Sequence, residues 1–252
     1  MNGGRMQEGE RPHGRETFGA VVQARMSSQR FPGKVLHEIH GKPLLEYVLE
    51  RVAGCPSLDA IVVATSKDPT DEPIAGFCRD RKVLCHRGPL EDVAGRFLEV
   101  LQTYGFDAFL RINADSPLID PDLMAEGLRE YRRGEYDIVT NTLRRTYPKG
   151  QSVEWVQSAC FLSAYSKMST GEEREHVTKH FYDHPQAYRI FNLDSHHDWG
   201  GIQLSVDTPE DMDRMHAILD AMDRPHHAYD LHEILRLHKT LFPPNRASSR
   251  EK

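Results

Sequence analysis

The feature that most constrains the fold is an alternation of short apolar runs with longer stretches of helical period. The runs are Gly19–Ala24, Ala60–Thr65, Lys82–His86, Ala108–Asn113 and Tyr136–Asn141. Between them lie candidate helices at Pro43–Val52, Glu72–Arg81, Asp92–Tyr104 and Pro121–Tyr131. That order predicts an α/β chain, a βαβ sheet with helices on both faces. Pro43 and Pro121 suit first helical turns, and Val93, Phe97, Val100 and Leu101 share one face behind Asp92.

After Asn141 the alternation loosens. "YPKGQSVEWV" reads as a turn and a strand, "EEREHVTKHFYDH" as a helix, and "AYRIFNL" and "IQLSVD" as strands. "TPEDMDRMHAILDAM" reads as a helix opened by Thr208 and Pro209. The expectation is a single domain over residues 18–240 with a small β-rich insertion at about 142–200. A disordered leader over residues 1–17 and a flexible tail over 241–252 are expected to flank it.

Composition narrows the function classes. A net charge of −6 argues against broad binding to nucleic acid or an anionic membrane, so any anion site is local. The four cysteines, Cys55, Cys78, Cys85 and Cys160, make no C-x-x-C pair and no zinc spacing. The first residues mix Arg with Glu without an apolar run, which fits neither a secretory signal nor a transit peptide, and a cytoplasmic protein is expected.

The candidate chemistry gathers where strands end. "VVQARMSSQRFPGKVL" leaves the first strand and crowds Arg25, Arg30 and Lys34 around Pro32 and Gly33. In doubly wound sheets ligands bind beyond the carboxyl ends of strands, and these cations, with the hydroxyls of Ser27 and Ser28, suit a polyphosphate. Gly33-Lys34 is followed by Val35 where a Walker loop needs Ser or Thr, and G-x-G-x-x-G is missing after the first strand. Asp115 falls just past the strand at Ala108–Asn113, and Asp207 ends "LSVD". If the strands order three-two-one-four, Arg25 and Asp115 face each other across the switch point. A carboxylate beside polyphosphate reaches it through a divalent cation, and two aspartates suffice for magnesium.

Taken together, "QARMSSQRFPGKVL", "GKPLLEYVLERV", "RINADSPLIDPDLM", "EREHVT" and "SVDTPEDM" resemble the cytidylyltransferases that include CMP-KDO and CMP-acylneuraminate synthetases. The branch most similar is that of spore coat polysaccharide biosynthesis protein F. The resemblance runs from about Phe18 to Met222. It implies a Rossmann-like nucleotidyltransferase fold of the nucleotide-diphospho-sugar transferase type, a three-layer sandwich, together with CTP and Mg2+. By motif position it implies that Arg25 and Lys34 bind the triphosphate with Arg30 and Ser28 assisting, that Gln23 and Ala24 lie near the nucleotide, and that Asp115 and Asp207 hold the metal. Glu154, Glu175 and His176 are implied on the acceptor side, with a sugar acid as acceptor and two copies pairing through the insertion as a homodimer. Ala114 stands where the branch often has Gly, and Gln203 where a basic residue is common.

His176, His180 and His184 recur every four residues, but no carboxylate is spaced as in H-E-x-x-H, and zinc is not expected. The expected reaction is attack of an acceptor oxygen on the α-phosphorus of CTP with release of pyrophosphate. Its rivals are a related transferase using another NTP or a phosphorylated acceptor, and a nucleotide-sugar glycosyltransferase. The "DPD" at Asp120–Asp122 fits the D-x-D mark of the latter weakly, because Asp is favoured at a helix start anyway.

Overall fold

All five apolar runs enter one sheet. A computed structural model describes residues 15–243. In chain order it contains β1 (Phe18–Gln23), the hairpin strands β2 (Glu38–Ile39) and β3 (Lys42–Pro43), α1 (Leu44–Ala53), β4 (Ala60–Ser66), α2 (Glu72–Asp80), β5 (Leu84–Gly88), α3 (Val93–Tyr104), β6 (Ala108–Asn113), α4 (Pro121–Arg133) and β7 (Ile138–Thr140). Then follow β8 (Glu154–Gln157), α5 (Ser158–Tyr165), α6 (Gly171–Glu175), α7 (Lys179–Asp183), β9 (Ile190–Asn192), α8 (Pro209–Asp220) and α9 (Leu231–Leu241). Most of the expected leader and the tail from residue 244 lie outside the described residues. Arg15 and Thr17, at the leader's end, bond to Asp59 and Asp107.

The seven-stranded sheet runs β5-β4-β1-β6-β8-β7-β9. Its first four strands pair in parallel, in the three-two-one-four order that the motif argument needs. β8 is antiparallel to both of its neighbours, and β7 pairs in parallel with β9, so one reversed strand interrupts an otherwise parallel sheet. Because β1 and β6 lie side by side, with Gln23 opposite Asn113, the segments leaving them diverge from a common edge.

Helices cover both faces. One face packs Ala20, Val22 and Leu110 against Leu45 and Val48 of α1, Ile74 of α2 and Met124 of α4. The other packs Val21, Val62 and Phe109 against Phe97 of α3, Phe161 of α5 and Phe181 of α7. A third cluster joins Ile39 of the hairpin to α8 and α9 through Leu118, Leu204, Val206, Met215 and Ile234. Gly19 of β1 answers to packing: a Cβ there would stand 2.2 Å from the Phe106 ring.

Three expectations change. The segment at 142–200 is not a β-rich insertion, since its strands β8 and β9 belong to the main sheet and the rest is mainly α5, α6 and α7. "EEREHVTKHFYDH" forms two short helices rather than one, because the chain turns sharply at His176–Thr178. "IQLSVD" forms no strand, only a single bridge from Gln203 to Lys149. Its backbone bonds are split between two segments, Leu204 donating to Lys149 and Val206 to Asp115, so no ladder propagates.

Candidate active site

The basic loop is built by its own backbone and by a buried aspartate. The amides of Ser28 and Gly33 both donate to the Met26 carbonyl, which closes residues 26–33 into a compact turn. Gly33 has φ 75°, a left-handed conformation that turns the chain into a short 3-10 helix at Lys34–Leu36. Asp71, fully buried after β4, accepts from the Met26 amide at 2.7 Å and from the Ser66 amide and hydroxyl, which ties the loop to the neighbouring strand.

This construction delivers all the loop's cations to carboxylates. Lys34 Nζ lies 2.8 Å from Asp115 Oδ2, 3.1 Å from Asp207 Oδ1 and 2.7 Å from the Val206 carbonyl. Arg30 reaches Asp207 at 3.1 Å, and Arg25 reaches Glu175 at 2.7 Å. One cleft of about 650 Å³ is lined by Gln23, Ala24, Arg25, Ser28, Arg30, Lys34, Arg111, Asn113, Ala114, Asp115, Glu175, His176 and Asp207. Every residue that the resemblance assigns to nucleotide or metal is therefore in one place, whereas Ser27, read in the sequence as a further hydroxyl for phosphate, does not line the cleft. Magnesium fits this donor set: two carboxylates and a carbonyl, all hard oxygens, converge on the single point now held by the Lys34 ammonium.

At its other end the cleft is walled by the turn between α6 and α7. Val177, a β-branched residue, has φ 35°, and its side chain is fully buried. The packing that enforces this conformation leaves His176 in the cleft and sends Thr178 inward. Glu154, in contrast, does not reach the cleft. It is buried behind it on β8, where Oε2 accepts from Arg111 Nη1 at 2.7 Å and Oε1 from Thr178 and Tyr182 hydroxyls at 2.7 and 2.6 Å. Burial alone would raise its carboxyl, but the Arg111 charge and these donors prevail and hold it below the usual carboxylate value.

The sequence motifs leave Arg111 without a role, although a charged residue inside the apolar run "AFLRIN" is itself a signal. Its Nε donates to Gln23 Oε1 at 3.1 Å and its Nη1 also donates to Thr178. Asn113 likewise lines the cleft, and its Oδ1 is buried without a partner among the described residues. A ligand hydroxyl or amino group would satisfy it.

His180 and His184 do not join His176. His180 Nδ1 lies 2.5 Å from the buried Glu173, whose carboxyl that contact and the Ser169 and Thr170 amides lower to about 2. Glu173 also completes the capping box with Thr170 that starts α6. Asp120 of "DPD" is a helix cap, accepting from the amides of Asp122 and Leu123, and it is buried away from the cleft.

A family model described as cytidylyltransferase matches residues 20–240. Spore coat polysaccharide biosynthesis protein SpsF of Bacillus subtilis is 30% identical over 216 residues, which is 81% of this chain and 88% of that protein. A 3-deoxy-manno-octulosonate cytidylyltransferase of Geobacter sulfurreducens is 34% identical over 109 residues, 43% of each chain. Among solved structures, a cytidylyltransferase from Leptospira borgpetersenii superimposes with a TM-score of 0.85 at 24% identity, covering 90% of this chain and 95% of its own. CMP:2-keto-3-deoxy-manno-octonic acid synthetase, solved with CTP, gives a TM-score of 0.62 at 20% identity over 81% of this chain and 99% of its own. Both structural likenesses concern the fold.

Proposed function

The chain belongs to the cytidylyltransferase family, and from that premise we propose that it transfers CMP from CTP to a hydroxyl of a sugar acid, with release of pyrophosphate, in the making of a surface polysaccharide or glycoconjugate. The observation that carries the reading is the convergence of Arg25, Arg30 and Lys34 with Asp115 and Asp207 in one cleft. The named activities of relatives support the acceptor class, since one is a 3-deoxy-manno-octulosonate cytidylyltransferase and another serves spore coat polysaccharide.

In the reaction the acceptor oxygen forms a bond to the α-phosphorus while the bond to the bridging oxygen of pyrophosphate breaks. Negative charge grows on the leaving group, where cations fixed beforehand are most effective. Arg25 and Arg30, in exposed ion pairs, exchange their carboxylates for phosphate oxygens. Lys34, nine-tenths buried, rests against the strand-end aspartates, and it would turn from them to phosphate oxygens once they hold a metal. Asp115 and Asp207 would hold magnesium, which when bound neutralises phosphate charge and orients the α-phosphate. The hydroxyl proton leaves as the new bond forms, and His176 stands in the cleft as a base for it.

Purified protein incubated with each of the four NTPs, magnesium and a panel of sugar acids is expected to release pyrophosphate with CTP and at least one acid. Release with no combination would refute the transferase reading. Release only with another NTP or a phosphorylated sugar would keep the fold's chemistry and replace the substrates.

A further inference from the structure

Arg111 differs from the other cations of the cleft in origin and in freedom. Arg25, Arg30 and Lys34 come from the loop after β1, whereas Arg111 comes from the sheet itself, two residues before the end of β6. At the rise of a strand this sets its backbone about 7 Å below the strand's end, away from the phosphate side marked by Asp115. Its guanidinium is fixed at two of three nitrogens: Nε to Gln23, and Nη1 to Glu154 and Thr178. Glu154 is pinned in turn by Thr178 and Tyr182, and Tyr182 is flanked by the hydroxyls of Thr140 and Thr142. The remaining nitrogen, Nη2, has no acceptor among the described residues and is not among the buried polar atoms that lack one, and Arg111 lines the cleft.

We propose that Arg111 is the residue that recognises the acceptor's carboxylate, with Glu154 as its positioning residue. The inference rests on the sugar-acid reading above and adds the group that reads the acid. A guanidinium whose geometry is set before the ligand arrives loses little freedom on binding, and its free amino edge offers a charge-assisted donor in a partly dehydrated place. Of the acidic side chains that line the cleft, Glu175 is already matched by Arg25, and Asp115 and Asp207 by Lys34. Gln23 gains a fixed orientation from the same contact: its Oε1 is engaged by Arg111, which leaves its amide nitrogen as a second donor in the cleft. Asn113 Oδ1, unpartnered and beside them, is suited to a sugar hydroxyl.

The test compares wild type, Arg111→Lys, and the double variant Arg111→Gln/Glu154→Gln, using CTP and whichever sugar acid of the panel the wild type turns over. The double variant replaces the buried pair by two neutral amides, the second isosteric with the carboxylate it replaces, so no lone charge is stranded; Arg111→Lys keeps the charge but loses the free amino edge. Steady-state pyrophosphate release gives KM and kcat for the acid and for its carboxamide, and calorimetry gives the CTP dissociation constant. The double variant is expected to raise KM for the acid by about 10- to 100-fold, with kcat and CTP affinity within threefold, and to erase the preference for the acid over the amide. Arg111→Lys is expected to fall between. Unchanged acceptor KM and acid preference in both variants would overturn the inference, as would an equal loss of CTP affinity, which would assign Arg111 to the nucleotide. If the wild type turns over no sugar acid, the functional reading itself fails, an outcome separate from either.

Discussion

The two ends of the cleft use the same chemistry, arginine or lysine against a carboxylate, in opposite states of burial. At the end proposed for phosphate, Arg25 and Arg30 are 41% and 66% exposed in their side chains, and their partners Glu175 and Asp207 are also open to water. At the other end Arg111 and Glu154 are 13% and 3% exposed. An exposed pair gains little and exchanges easily, whereas a buried pair, once formed, is costly to break. Under the proposed function the first end is rearranged by its ligand, and the second meets a ligand unchanged. Lys34 belongs between them: it is buried like Arg111, yet it rests in the oxygens that suit a metal.

The comparison breaks most directly on stability. Arg111→Ala strands the Glu154 carboxylate in the interior and is expected to lower unfolding free energy by roughly 3–5 kcal/mol, against about 0–1 kcal/mol for Arg25→Ala, both read by urea denaturation. Equal losses would mean that the two pairs do not differ as their burial implies. Next in size is the effect of Lys34→Met on turnover, expected to fall about 10²–10³-fold through lost stabilisation of the departing pyrophosphate, measured as kcat with saturating CTP. A fall in CTP affinity with kcat intact would make Lys34 a ground-state contact only.

Acid titration sharpens the contrast from the other side. Glu154 and Glu173 both titrate below the ordinary value in the folded protein, Glu173 at about 2. Their unfolded forms bind protons first as pH drops, so their stabilisation is complete above the ordinary carboxyl value of 4.5 and is lost as pH falls towards the folded values. Unfolding midpoints taken from pH 6 down to about 3 should decline more steeply for wild type than for Glu173→Gln. Parallel curves would remove Glu173 from the acid limb. The smallest change is expected from Glu175→Gln, which frees Arg25 of its exposed partner and should tighten CTP binding by no more than about 1 kcal/mol, read by calorimetry.

Much of the fold was legible because its signals are local. Burial on both faces makes the parallel strands apolar runs, and amphipathic period marks α1 to α4, so order and layering follow from residues near one another. The departures lie where local pattern underdetermines pairing. "IQLSVD" has the composition of a strand, but its donors find acceptors in two different segments. "EEREHVTKHFYDH" has helical composition, yet tertiary packing forces Val177 to a positive φ and breaks it. Glu154 was readable as a functional carboxylate but not as one hidden behind the cleft, since the reversed strand β8 that turns it towards Arg111 has no sequence mark.

By itself the sequence determined which chemical groups stand at strand ends: the cations of the loop after β1, and the aspartates after β6 and before α8. Strand termini and helix starts are written in neighbouring residues, so these positions needed no long-range information. Only the tertiary structure decided who meets whom. Lys34 joins an aspartate 173 residues away, and Arg111 joins Glu154 across two antiparallel strands. Such pairings are set by sheet order and burial, where desolvation rewards one arrangement and penalises the rest, and no local spacing encodes them.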